Sequence, residues 1–235
     1  MRVILERSNL LKSLNHVHRV VERRNTIPIL SNVLLAADGA SLEMKATDLD
    51  LEVTEATPAR VEQGGATTVP AHLLYDIVRK LPEGAEVMLK TDEDGTAMTV
   101  ISGRSSFRLQ CLPQSDFPEL SAGSFSHIFR LDSTALKGLI DKTQFAISTE
   151  ETRYYLNGIF LHTLETGGKL KLRSVATDGH RLARAEIDAP AGSEGMPGII
   201  IPRKTVSELQ KLVDDPDVAV TPLHFGPNIR FPLPP

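Results

Sequence analysis

Residues 176–183 read ATDGHRLA, and residues 46–53, 130 positions earlier, read ATDLDLEV. Three more pairs of segments echo each other in the same order. LLKSL (10–14) returns as ALKGL (135–139), and LSNVLL (30–35) as LNGIFL (156–161). VPAHLLYDIVRKL (69–81) returns as IPRKTVSELQKLV (201–213). The offset widens steadily from 125 to 132, as small insertions would make it. Four matches in register indicate a duplicated domain. Solenoid repeats recur at roughly 20 to 50 residues, and this period is far longer. Thr-Asp is common to both copies of the octet and reads as structural, a strand end whose short polar side chains bond the backbone of the turn. Gly179, His180 and Arg181 are new in the second copy, so any special function of this turn belongs to that copy.

Composition sets the broad class. The chain has 235 residues, 41% hydrophobic and 24% charged, as expected of a globular protein able to bury a core. With 5% aromatic residues and no Trp, that core must rest on Leu, Val, Ile and Ala. The single cysteine, Cys111, excludes an internal disulfide and lacks a partner at metal-ligand spacing; it reads as a small half-buried residue. The N-terminus does not resemble a secretory signal, and no apolar run approaches 18 residues, so a cytoplasmic location without membrane contact is expected.

Each copy reads as two helices on antiparallel strands. In copy one, Leu10, Leu11, Leu14, Val17 and Val21 share one face of a helix expected over residues 8–24, with Ser8 as its N-cap. Lys12, His16, Arg19 and Arg23 share the opposite face. Strands are expected in NVLLAA, SLEMKAT, LDLEVTEATPARV and GATTV, with a hairpin at ADGA. A second helix follows over residues 71–81 with Pro70 at its first turn. Strands joined by a tight Asp-Gly turn then close the copy. Copy two repeats the plan, with helices near residues 133–143 and 203–213. The fold class expected is α+β, with duplicated units, each two helices packed on antiparallel sheet.

Charge is unevenly spread. The four expected helices hold eleven basic residues against four acidic ones, in a chain of net charge -4. The helices are basic and the remainder acidic. Lys and Arg favour helices anyway, so solvated helix faces account for part of this. A basic helical surface facing a polyanion accounts for it more fully.

With the repeat, these units and these motifs, the chain resembles the bacterial DNA polymerase III β sliding clamp family. The residues carrying the resemblance are NTIPILSNVLL (25–35), GATTVPA (65–71), LPEGAEV (81–87) and SGRSSFRLQCLPQSDFP (102–118) in copy one. In copy two they are RYYLNGIFL (153–161), ATDGHRLA and IIIPRK (199–204). The resemblance implies a clamp domain over 1–118 and a second over 126–235, the latter incomplete at its C-terminal end. It implies a ring whose helices line a hole around double-stranded DNA, acting as a processivity factor without catalytic residues, metal or cofactor. It also implies partners: DNA polymerase III subunits, the clamp loader and other proteins bearing a clamp-binding motif.

Carried over position by position, the peptide-binding pocket falls on Leu156, Thr177, Gly179, His180, Arg181 and Leu182. Contact with DNA falls on Arg24, His72, Arg153, Tyr154 and Tyr155. His72 stands where the family often has Arg, which makes its charge depend on pH. Glu150, an acid where a neutral residue is usual, opposes DNA there.

Family members carry a third domain and close as homodimeric six-unit rings; the expectation here is that the third domain and the closing strands of copy two are absent. TPLHFGPNIRFPLPP (221–235) is rich in Pro, which suits a central strand poorly. A shortened or frameshifted gene, loss of the third domain, or a two-unit subunit closing as a trimer each fit. Two other function classes remain beside the clamp. One is a peptide-binding adaptor. The other is an enzyme using Asp178 and His180, for which no third ligand, nucleophile or phosphate loop is found.

Overall fold

The computed structural model describes residues 1–23, 25–119, 126–150, 152–213, 220–225 and 229–230. The chain divides into two compact units, residues 1–120 and 121–235.

Unit 1 opens with β1 (Arg2–Glu6), which runs directly into α1 (Arg7–Val17). This strand was not expected from the sequence, because Val3, Ile4 and Leu5 are too short a run to announce themselves. Its presence displaces the expected helix start. Glu6, in extended conformation, occupies the N-cap, and Ser8 lies within the first turn, its hydroxyl donating to the Glu6 carboxylate at 2.8 Å. The helix also ends earlier than expected, at Val17. There the His18 N–H bonds the Leu14 carbonyl, and the following turn delivers Val20 and Val21 into the core. The apolar stripe holds for Leu10, Leu14 and Val17, all fully buried. Of the expected basic face, only Lys12 and His16 belong to the helix.

β2 (Asn32–Asp38), β3 (Ser41–Thr47) and β4 (Glu52–Pro58) form a meander, and the Asp38–Ser41 hairpin falls where ADGA placed it. LDLEVTEATPARV is not one strand. It breaks at Ala59, and β5 (Arg60–Gln63) joins a different sheet, against β1. β6 (Gly65–Pro70) then returns beside β2 and leads into α2 (Ala71–Lys80), with Pro70 as its N-cap residue. β7 (Glu86–Thr91), β8 (Ala97–Ser102) and β9 (Ser105–Gln110) complete the unit. The β7–β8 connection is a five-residue loop around Gly95, not a two-residue turn, and it is closed by the Asp92 carboxylate accepting the Ala97 N–H at 2.9 Å. The two sheets run β5-β1-β7-β8-β9 and β4-β3-β2-β6. Cys111 packs half-buried against the core of this unit, and burial pushes its thiol up.

Unit 2 repeats the topology. β10 (His127–Asp132) runs into α3 (Ser133–Asp141), capped by the Asp132 carboxylate, which accepts the Thr134 and Ala135 N–H groups. β11 (Gly158–Thr166), β12 (Lys169–Thr177), β13 (Leu182–Asp188) and β14 (Ile199–Pro202) form a sheet in the order β13-β12-β11-β14, which is the order β4-β3-β2-β6 of unit 1. α4 (Arg203–Val213) follows, as α2 follows β6. The expected loss of the closing strands is corrected in part. β15 (Val220–Phe225) pairs with β10 along its whole length, and β16 (Ile229–Arg230) pairs with its end. Among the described residues β16 meets β15 only at His224 and Phe225, so Pro222 sits in the single ladder with β10, where a proline is tolerated.

The expected α+β class of two helices on antiparallel sheet in each unit is what the structure has. The four observed helices carry eight basic residues against three acidic ones, so the charge bias survives their shorter bounds.

Candidate functional site

The β12–β13 connection is built by its own side chains. Thr177 and Leu182 are the last paired residues of the ladder, leaving Asp178 to Arg181 as the loop. One oxygen of the Asp178 carboxylate accepts the His180 and Arg181 N–H groups, each at 3.0 Å. Its other oxygen takes the Arg181 Nε at 2.9 Å. These hydrogen bonds, the backbone ones foremost, hold the Asp178 carboxyl down at about 2. The Thr177 hydroxyl accepts the Gly179 N–H at 3.1 Å and donates to the Arg181 carbonyl at 2.7 Å. Gly179 takes φ +92°, in the region that favours glycine. The sequence reading of Thr-Asp as a structural pair describes this loop. The Asp178 carboxylate is engaged by the loop's own N–H groups and by Arg181. His180, Arg181 and Leu182 face solvent, Leu182 at 65% exposure.

A second segment comes against this loop. Successive N–H bonds run from Arg153 to the Glu150 carbonyl (3.1 Å), from Leu156 to Arg153 (2.8 Å) and from Asn157 to Tyr154 (3.3 Å). The Leu156 carbonyl accepts the Ser148 N–H at 3.1 Å, which ties the segment to the irregular stretch after the 3-10 turn Gln144–Ala146. Arg153 pairs with Glu150 at 2.9 Å, and its Nη1 stands 3.6 Å from where a Cβ on Gly179 would lie. Leu156 is half-buried, whereas Tyr154 and Tyr155 are exposed and meet edge to face at 5.5 Å. On the loop's other flank the Arg181 guanidinium lies over the ring of Phe145, 5.8 Å from its centre. Phe145 is 58% exposed.

Arg153, expected among the DNA contacts, stands beside the Gly179 turn. Phe145, which the sequence did not single out, is part of the same surface. Its only advance signal was a large apolar residue just past a helix end, and nothing in the periodicity marked it as exposed. The acidic Glu150 is partly neutralised by Arg153.

In unit 1, His72 sits half-buried in the first turn of α2, with Nε2 donating to the Val21 carbonyl at 2.8 Å. Its ring meets His18 edge-on at 5.7 Å. Arg24 lies outside the described residues. No helix among the described residues is long and apolar enough to cross a membrane.

Comparison with known proteins agrees with this architecture along the chain. Residues 1–121 match the N-terminal domain of the DNA polymerase III beta subunit, and residues 130–230 match its central domain. The beta sliding clamp of Caulobacter vibrioides is 53% identical over 232 residues, 98% of this chain and 62% of its own length. That of Escherichia coli K12 is 42% identical, over 98% of this chain and 61% of its own length. The crystal structure of a sliding clamp from Bartonella birtlesii bound to griselimycin superimposes with a TM-score of 0.95 at 57% identity, covering all of this chain and 62% of that one. The chain thus spans about three fifths of the length of these relatives. In sequence and in fold, it belongs to the DNA polymerase III beta subunit family.

Proposed function

We propose that this chain supplies the first two units, over residues 1–118 and 126–235, of a non-catalytic sliding clamp. Such a clamp encircles duplex DNA in the cytoplasm and tethers DNA polymerase III subunits, the clamp loader and other partners. The observation that carries the reading is the match of both domains, in order, at high identity to beta sliding clamps. The basic bias of the helices supports it physically, since a basic helical surface on an acidic body attracts a phosphate backbone without gripping sequence.

Within this reading the turn around Gly179 is the peptide site. Leu156 and Leu182 offer apolar contact, and the stems of His180 and Arg181 wall a groove while their heads stay wet. Arg153, next to Gly179, joins that site. Tyr154, Tyr155, His72 and Arg24 are the DNA group. The Bartonella birtlesii relative was crystallised with griselimycin bound, which makes that compound a probe of the turn here.

Duplex binding followed by anisotropy from about 50 to 200 mM salt tests the DNA reading. Weak affinity, indifferent to sequence and falling steeply with salt, is expected. Calorimetry with griselimycin tests the peptide site. Salt-independent DNA binding, or turnover of any nucleotide substrate, would overturn the reading.

A further inference from the structure

The duplication supplies a comparison inside the chain. In unit 1, Leu34 of β2 lies opposite Thr68 of β6 and Lys45 of β3. In unit 2, Phe160 of β11 lies opposite Ile200 of β14 and Val175 of β12. The two rows hold the same register positions. Both face away from the core, because their chain neighbours Val33, Leu35 and Val69 in one unit, and Ile159, Leu161 and Ile201 in the other, are the buried residues. The rows differ in what covers them.

In unit 1 the chain leaving β9 crosses the row. Leu112 forms an antiparallel bridge to Thr68 on the outer edge of β6. Its N–H donates to the Thr68 carbonyl at 3.4 Å, and its carbonyl accepts the Thr68 hydroxyl at 2.8 Å. A 3-10 turn at Gln114–Asp116 then brings Phe117 into an apolar cluster with Ile29 and Leu30, against which Leu34 and Leu112 pack. Thr68 is fully buried and Phe117 nearly so. In unit 2 the row is open. Phe160 is 40% exposed and Ile200 39%. Among the described residues β14 pairs with β11 alone, so its far edge is free.

The open row is also the more apolar one. Unit 1 places leucine, threonine and lysine there, and unit 2 places phenylalanine, isoleucine and valine. A sheet face meant for water carries polar residues. The Phe160 ring is held in position: it stacks on His162 at 4.6 Å and lies over Gly198, where a Cβ would come within 2.6 Å of it. We propose that this row and the β14 edge form a docking site for a separate polypeptide, which binds as an extended segment of the pattern Leu-Pro-x-x-x-Phe. Its chemistry is read from the segment that fills the same place in unit 1, LPQSDFP (112–118). The leucine N–H of the partner pairs with the Ile200 carbonyl as in strand addition, and its leucine and phenylalanine side chains cover Phe160 and Ile200. Ile200 lacks the hydroxyl of Thr68, so apolar contact carries more of the docking here. The site stands independently of the DNA and peptide readings above.

The probe is the capped heptapeptide LPQSDFP, added to the isotope-labelled full chain and followed by NMR. Saturable shifts centred on Phe160, Val175 and Ile200 are expected. Phe160→Ala should weaken binding about tenfold, as loss of an anchor does. Serine in place of phenylalanine at the sixth residue of the peptide should do the same with the protein unaltered. Ile200→Thr, which restores the hydroxyl present in unit 1, should retain binding. No saturable shifts, or shifts confined to the Gly179 turn, overturn the site. Binding that appears only after removal of residues 231–235 assigns the row to the chain's own end, and self-association that Phe160→Ala abolishes assigns it to a second copy; either result overturns the separate partner.

Discussion

Leu49 and Gly179 occupy the same backbone position in two copies of one turn. Leu49 has φ +80° and Gly179 has φ +92°. Around them the bonding is duplicated. The Thr47 hydroxyl accepts the Leu49 N–H at 3.0 Å as Thr177 does for Gly179, and Asp48 accepts the Asp50 and Leu51 N–H groups as Asp178 does for His180 and Arg181. Copy one thus holds a leucine, 47% exposed, where the backbone favours glycine.

Exchange of the two residues is therefore predicted to act in opposite directions. Left-handed backbone costs a side-chain-bearing residue about 1–2 kcal/mol. Gly179→Leu should destabilise the chain by about that much, and Leu49→Gly should be neutral or stabilising, because relief of strain offsets the glycine's entropy. Urea denaturation of the two variants checks this. Equal losses from both would mean the turn bonds do not set the conformation.

Acid should loosen the Gly179 turn through Asp178. Its carboxyl titrates at about 2 when folded against an ordinary 3.8, so its contribution is present above 3.8 and lost as pH falls toward 2. Asp178→Asn should melt lower than the unsubstituted chain at pH 5, and the gap should close on approach to pH 2. A gap that stays constant across that range would place the effect outside the titration.

His18 gives the opposite limb. Its protonation is depressed in the folded state, so the unfolded chain takes the proton first and stability falls as pH drops below the ordinary value of 6.5. His18→Gln should flatten that slope between pH 7 and 5, measured as the shift in the unfolding midpoint of unit 1. An unchanged slope would mean another group carries it.

Gly158 is a packing requirement, not a turn. It starts β11 opposite Pro202, and a Cβ there would fall on the Ile201 carbonyl oxygen and lie 2.8 Å from the Ile200 Cγ2. Gly158→Ala should cost about 1–3 kcal/mol in chemical denaturation, as overpacking does. Full stability in that variant would show that β14 can move aside.

At the proposed peptide site, Arg153→Ala, His180→Ala and Leu182→Ala should each weaken griselimycin binding. Losses of about 5- to 30-fold are expected where a side chain is a true anchor. Calorimetry on variants with unchanged melting temperature checks this. If Arg153→Ala binds normally while weakening duplex DNA, Arg153 returns to the DNA group.

Much of the architecture is legible without coordinates, because repeat and periodicity are local properties of the string. The duplication, the two-helix units, the spans of α3 and α4, and the structural character of Thr177–Asp178 all follow from residue type and spacing. What the string leaves open are decisions taken between distant segments. β1 ends where α1 begins because the strand is claimed on both sides by β5 and β7, and this displaces Ser8 from the cap. LDLEVTEATPARV divides at Ala59 because its two halves find partners in different sheets. Arg153 meets Gly179, and His18 meets His72 and Tyr75, only because antiparallel ladders and helix packing bring remote residues together. Local pattern fixes which face of an element is apolar; only the packed chain fixes which polar residues end up as neighbours, since that depends on contacts no short window contains.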